Sequence, residues 1–145
     1  MRRTVGGRDT EVAAWMQHRL PFLELGTPYV AIGVTDGAGD LVGGVLYDNF
    51  IRGVNIDMHV ASDGPYFLTR HFLGEVFRYP FEQLRVRRVT AKILAANTRS
   101  RRFNEHIGFV LEGICREAAP DGTDLCVYGM LARECRWLKL GRTIR

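Results

Sequence analysis

Residues 96–113 read ANTRSRRFNEHIGFVLEG. Three arginines, Arg99, Arg101 and Arg102, crowd the start of what the spacing predicts to be a short helix. Asn97 is a suitable N-cap, Phe103 and Ile107 form one buried stripe, and Gly108 fits the C-terminal stop. Arginines in a first helical turn oppose the helix dipole by about 0.3–1 kcal/mol at exposed sites, a penalty that a bound polyanion would remove. At helix spacing the three cations spread around the axis and cannot all face one ligand. Ser100 lies in the same turn. Its hydroxyl can bond to the local backbone or hydrogen-bond a reacting group.

A second set lies between residues 53 and 61, where Val54, Ile56, Met58 and Val60 alternate with Asn55, Asp57 and His59. A period of two places the three polar side chains on one face of a strand. Histidine titrates in the range where it can accept a proton from a nucleophile near neutral pH. His59 is the expected base, with Asp57, acting through water, as the alternative. The competing reading of His59 is a half-exposed strand histidine. His18, His71 and His106 have no comparable neighbours.

The elements that must position these residues follow from periodicity. Residues 9–20 read as a helix with Val12, Trp15, Met16 and Leu20 on one stripe, Asp9 or Thr10 as cap and Pro21 as stop. Residues 29–50 read as two strands around the turn DGAGD, and 53–61 as a third. Phe72, Leu73, Val76, Phe77, Phe81 and Leu84 mark a helix over 66–84, kinked or ended at Pro80. The strand 87–95 carries Val89, Ala91, Ile93 and Ala95 on one face, and strands at 109–117 and 124–132 close the order, joined by APDGTD. Tyr128 reads as core and Asp124 as a strand start. Trp15, Phe22 and Tyr29 suit core packing or the wall of an acceptor pocket. An antiparallel meander followed by strand–helix–strand implies a mixed α/β sheet with helices packed on it. The expected organisation is one domain over 1–137 and a basic tail at 138–145, and a strand at 124–132 lying on an edge would allow a homodimer.

Composition limits the possible partners. The 145 residues are 46% hydrophobic and 25% charged, as in an ordinary globular domain. Apolar runs are too short to cross a bilayer and the N-terminus lacks the form of a secretory signal, so a cytoplasmic protein without a membrane partner is expected. Three cysteines, an odd number without Cys-x-x-Cys, argue against a disulfide framework or a zinc site, and no metal is expected. Cys115 and Cys126 read as small apolar fillers. The net charge of +4 gathers in RVRR (85–88), RSRR (99–102) and RTIR (142–145). Nucleic acid and a phosphorylated cofactor both suit such clusters, but no aromatic residues are interleaved with them, so nucleic acid ranks last.

Taken together, Asn97-x-x-Ser100, the run Glu105-His-Ile-Gly108-Phe109-x-x-Glu112-Gly113, Asp124 ahead of a strand and the ending at Glu134 resemble the GNAT superfamily of acyl-CoA-dependent N-acetyltransferases. The likeness is nearest the branch that acetylates N-terminal amines of ribosomal proteins, with related phage and bacterial members. The resemblance implies acetyl-CoA as cosubstrate and a primary amine as acceptor, either a protein N-terminus or a small molecule. It implies that the strands at 53–61 and 87–95 splay at their ends to admit pantetheine against the backbone near Val60 and Ala61. The pyrophosphate would rest on Phe67, Leu68, Thr69 and Arg70, and Arg102 would hold the 3′-phosphate. Asn97 would bond to the pantetheine, Ser100 would face the departing thiolate, and a backbone N–H near Val60 or Ala61 would hold the oxyanion. Three departures stand beside the match. GPYFLT (64–69) replaces the family's glycine-rich phosphate loop, with Phe67 and Thr69 at the glycine positions. Asn104 stands where many members carry tyrosine. The N-terminal region is short, with room for one helix. Asp63 would repel phosphate unless it caps a helix. These departures keep open the alternative of a decayed binding module on the same fold, either a CoA sensor or a protein-interaction protein.

Overall fold

The computed structural model describes residues 2–20, 22–26, 28–64 and 69–138. Within them β1 (Arg3–Val5), β2 (Val30–Thr35), β3 (Leu41–Ile51), β4 (Asn55–Ser62), β5 (Arg88–Leu94), β6 (Val110–Cys115) and β7 (Leu125–Leu131) form one sheet in the order β1-β2-β3-β4-β5-β7-β6. Neighbours pair antiparallel except β4 and β5, which are parallel. The expected mixed α/β sheet is present. Phe67, Leu68 and the tail at 139–145 lie outside the described residues.

Alternation assigns the two faces of the sheet. Val45, Tyr47, Ile56, Met58, Val89, Ala91 and Ile93 point toward α2 (Arg70–Arg78) and α3 (Thr98–Ile107), forming the larger core with Phe72, Phe77 and Ile107. Leu46, Ala31 and Ala61 point the opposite way, against Val12, Ala13 and Met16 of α1 (Asp9–Arg19). α1 sits close because β3 offers glycine beneath it. A Cβ on Gly44 would stand 2.9 Å from Val12 Cγ1 and 3.0 Å from the Met16 sulfur.

Local expectations meet several corrections. Asp9 does not cap α1: the N-cap is Arg8, and the Asp9 carboxylate accepts the Ala31 N–H at 2.9 Å, tying the helix to β2. β1 was not expected. Its three residues are too few to show a period, yet they pair with Gly33–Thr35. α2 is shorter than 66–84 and passes at Tyr79–Gln83 into a π-helical turn. There Leu84 N–H reaches the Tyr79 carbonyl at 3.0 Å, and Pro80 sits in the first turn, where its missing N–H is harmless. β7 is not an edge strand. It lies between β5 and β6, and β6, with exposed Val110, Leu111 and Ile114, is the outer strand at that end. Cys126 is a buried filler as expected, but Cys115 is exposed, because β6 has no neighbour beyond it. Among the described residues no helix is long and apolar enough to cross a membrane.

Burial raises the Cys135 thiol to about 11, although nearby backbone N–H groups oppose the rise. Native protein should therefore show one fast-reacting thiol, Cys115, in a colorimetric thiol assay near neutral pH, with Cys126 and Cys135 reacting only after unfolding. Gly44→Val should lower stability by about 1–3 kcal/mol in urea unfolding, since the added methyls must displace α1.

Candidate functional site

The ladder between β4 and β5 is short. It runs Asn55↔Arg88, Ile56↔Val89 and Asp57↔Thr90, and there it ends. Both strands continue, β4 to Ser62 and β5 to Leu94, each still paired on its outer side, with β3 and β7 respectively. The sheet thus opens as a wedge whose apex is the Asp57–Thr90 pair and whose walls are Met58–Ser62 and Ala91–Leu94. An opening at the carboxyl ends of adjacent parallel strands is where open α/β sheets bind ligands. Val60 and Ala61 stand in the β4 wall. The Val60 side chain packs toward the α2/α3 core and Ala61 toward α1. The Asp63 N–H on the Val42 carbonyl sets a register in which Ala61 bonds to Gly44 of β3 and the Val60 backbone faces the gap.

Each strand of the wedge leads to a helix N-terminus. Thr69 caps α2, its hydroxyl accepting the Phe72 N–H at 3.1 Å, and Arg70 opens the helix with its guanidinium 5.8 Å from the Trp137 ring centre. Asn97 caps α3 through Oδ1, which accepts the Ser100 N–H at 3.1 Å. Helix starts present N–H donors and partial positive charge to an anion. Asp63 does not cap α2. Arg19 binds it at 2.6 and 3.0 Å, and this pairing lowers its carboxyl below the ordinary range.

The arginines divide as their spacing requires. Arg101 turns inward and donates to the Tyr128 hydroxyl at 3.0 Å and the Ala95 carbonyl at 3.2 Å. Tyr128 in turn donates to Glu105 at 2.7 Å, so its core position includes a polar handle. Arg99 and Arg102 stay exposed on α3. Asn104, at the position of the family's tyrosine, is buried and donates to the Ser100 carbonyl at 2.8 Å, with the Ser100 hydroxyl at 3.5 Å. Ser100 therefore stands half-buried at the first turn of α3, its carbonyl held by Asn104 one turn later.

At the apex, on the face α1 partly covers, lies a polar network. Asp57, 5% exposed, accepts from Asn49 at 2.8 Å and Asn55 at 3.1 Å, and Lys92 reaches it from β5 at 3.4 Å. Thr90 donates to Asn55 at 2.6 Å and accepts from Arg88 at 3.0 Å, and Arg88 pairs with Glu112 on β6 at 2.8 Å. His59, the first polar residue of β4 beyond the apex, directs Nε2 at Asp48 Oδ1, 3.0 Å away. Asp48 is 3% exposed, and its other oxygen accepts the Gly26 N–H at 3.0 Å. Burial would raise the Asp48 carboxyl; the His59 hydrogen bond and charge, the Gly26 N–H and Lys92 outweigh it, and the net effect is below the ordinary range.

Periodicity found the Asn55–Asp57–His59 face and missed the residues that organise it. Asp48 and Asn49 follow one another on β3, so alternation would send them to opposite faces. A register shift after Asp48 and a left-handed Asn49 (φ 52°) let both reach the same face. No pattern rule signals that from sequence. Trp15 and Tyr29 are half-buried against the α1-side core, and Phe22 is 43% exposed. A wide cavity of about 570 Å³, lined by Arg2, Thr4, Val34, Thr69, Phe72 and Glu75, shares Thr69 and the start of α2 with this site, and none of its lining residues comes from β4, β5 or α3. Among the described residues no cluster of three or more His, Cys, Asp and Glu side chains is arranged to hold a metal ion.

No family model matches the sequence, and no curated protein matches it. Solved structures do match in shape. Spermidine N-acetyltransferase SpeG from Vibrio cholerae (F149A mutant) superposes with a TM-score of 0.72 at 15% identity, over 99% of both chains. Ribosomal-protein-S5-alanine acetyltransferase from Vibrio fischeri gives 0.62 at 18% identity, over 83% of this chain and 67% of that one. A GNAT-family acetyltransferase from Bacillus anthracis gives 0.57 at 23% identity, over 72% and 67%. With its parallel β4–β5 pair parting at Asp57 and Thr90, the chain is built on the GNAT acetyltransferase fold.

Proposed function

We propose that the protein is an N-acetyltransferase that moves an acetyl group from acetyl-CoA to a primary amine by direct attack. The observation that carries this reading is the wedge: two strand edges without ladder partners across the gap, each leading to a capped helix start. Pantetheine is an extended chain of amides, and the β4 wall offers it the Val60 backbone in place of the missing strand, with Ala61 beside it on the α1 face. Thr69, Arg70 and the start of α2 suit the pyrophosphate, as do Phe67 and Leu68 in the sequence reading. The exposed Arg102 suits the 3′-phosphate. Spermidine and an alanine of ribosomal protein S5 are the acceptors named for two structural neighbours, and spermidine carries primary amines.

In this reading His59 takes the first proton from the acceptor ammonium. The freed lone pair forms the N–C bond while a β4 backbone N–H holds the developing oxyanion, and the C–S bond breaks. The second nitrogen proton ends on the departing sulfur, with the Ser100 hydroxyl as its hydrogen-bonding partner. Asn104 cannot donate a proton to the thiolate, which leaves Ser100 as the α3 group suited to that role. Much of the rate would come from holding two reactants together.

Calorimetry with acetyl-CoA should show micromolar binding, and added amines should release free thiol. Absence of binding at millimolar acetyl-CoA would refute the enzyme and leave a module that binds no CoA; binding without thiol release from any amine would favour the sensor. Arg102→Ala should weaken CoA about 3- to 10-fold while leaving dephospho-CoA nearly unchanged, and equal losses for both would remove Arg102 from the phosphate site. His59→Ala should lower kcat about 100-fold or more near neutral pH and less in alkali, where the amine is already free. Ser100→Ala should lower kcat about tenfold with acetyl-CoA affinity unchanged.

A further inference from the structure

We propose that Asp48 is a positioning residue that fixes which nitrogen of His59 serves as the base, and that it does so because its two oxygens are each committed to a donor. This rests on the acetyltransferase reading above and adds a residue that neither the patterning nor the structural likeness assigns.

Asp48 Oδ1 stands 3.0 Å from His59 Nε2, and Oδ2 takes the Gly26 N–H at 3.0 Å. The Gly26 donor is a backbone amide and cannot reverse. An ionised carboxylate is acceptor only, so in neutral His59 the proton must sit on Nε2, leaving Nδ1 with the lone pair. The contact is built tightly. A Cβ on Gly26 would lie 2.9 Å from Oδ2, so glycine is what lets the loop before β2 approach this carboxylate. Asp48 is 3% exposed, and its acceptor role is not shared with bulk water.

Asp57, on the same strand, is held by Asn49, Asn55 and Lys92. Lys92, in the β5 wall, reaches back to Asp57, and its charge also acts on Asp48. Arg19 of α1 is paired with Asp63, and Asp9 of α1 is bonded to the Ala31 N–H. Among the described residues Asp48 is the carboxylate seated on the imidazole.

Asp48→Asn preserves shape and reverses the tautomer. The amide has one acceptor oxygen, and the fixed Gly26 donor claims it. The amide NH₂ then faces His59 Nε2, which must become the acceptor, so the proton moves to Nδ1 and the Nδ1 lone pair is lost. Nitrogen-15 NMR of the His59 ring should show Nε2–H in the wild type and Nδ1–H in Asp48→Asn. Turnover should fall about 100-fold, with KM for acetyl-CoA unchanged and the acid limb of the pH–rate profile displaced. Asp48→Asn added to His59→Ala should cost nothing further. A wild-type ring protonated on Nδ1 would overturn the proposal, including in the case where the variant does not fold. An unchanged tautomer in a folded variant would do the same, as would full additivity of the two substitutions. Should the wild type acetylate no amine, the activity reading fails, and the ring tautomer still decides the role of Asp48.

Discussion

The structure depends on where one parallel ladder stops. β4 and β5 are held together at Asn55–Asp57 and Arg88–Thr90 and nowhere beyond. Backbone donors and acceptors that leave a ladder need other partners, and here two strand edges face each other across a gap. The closed end is fastened firmly. Arg87 and Arg88 N–H groups both reach the Val54 carbonyl, and Arg88, Thr90, Asn55 and Asp57 are cross-linked by side chains on the α1 face. On the other face the α2/α3 core packs continuously beneath both strands. A wedge fixed at its apex and backed by a core is a preorganised opening.

The same apex gathers charge. A β-bulge sends Asp48 and Asn49 to one face, where Asp48 orients His59 and Asn49 orients Asp57. Each buried carboxylate accepts two or three donors, as burial of a charge requires. Lys92 spans the apex from the opposite strand. The site therefore has a rigid, acceptor-rich floor and a half-buried imidazole, beside an opening whose far end carries two helix N-termini. That arrangement of imidazole, open backbone edge and helix N-termini suits the proposed acyl transfer from a phosphorylated thioester to an amine.

Much of the frame was legible in the sequence because it rests on period and punctuation. The alternation over 53–61, the stripe through Phe72–Phe77, the Asn97 cap and the Gly108 stop all depend on residues close in sequence, and each is realised. What escaped depends on contacts between distant segments. Asp9 has the form of a cap, but the Ala31 N–H claims it from 22 residues away. Strand order cannot be read from spacing, so nothing in 124–132 signals that β6 lies outside it and takes the edge. The Asp48–His59 pair needs a bulge to form at all. Phe67 and Leu68, with the rest of 65–68, lie outside the described residues and stay as the sequence reading left them.

The most direct measurement of the central claim is backbone amide hydrogen exchange, followed residue by residue, with and without acetyl-CoA. Binding in the wedge predicts added protection at Met58–Ser62 and at the first turns of α2 and α3, with little change in β1 or β2. Protection confined to β1 and the start of α2, which line the Arg2, Thr4 and Glu75 cavity, with the β4 wall and α3 unaffected, would contradict it.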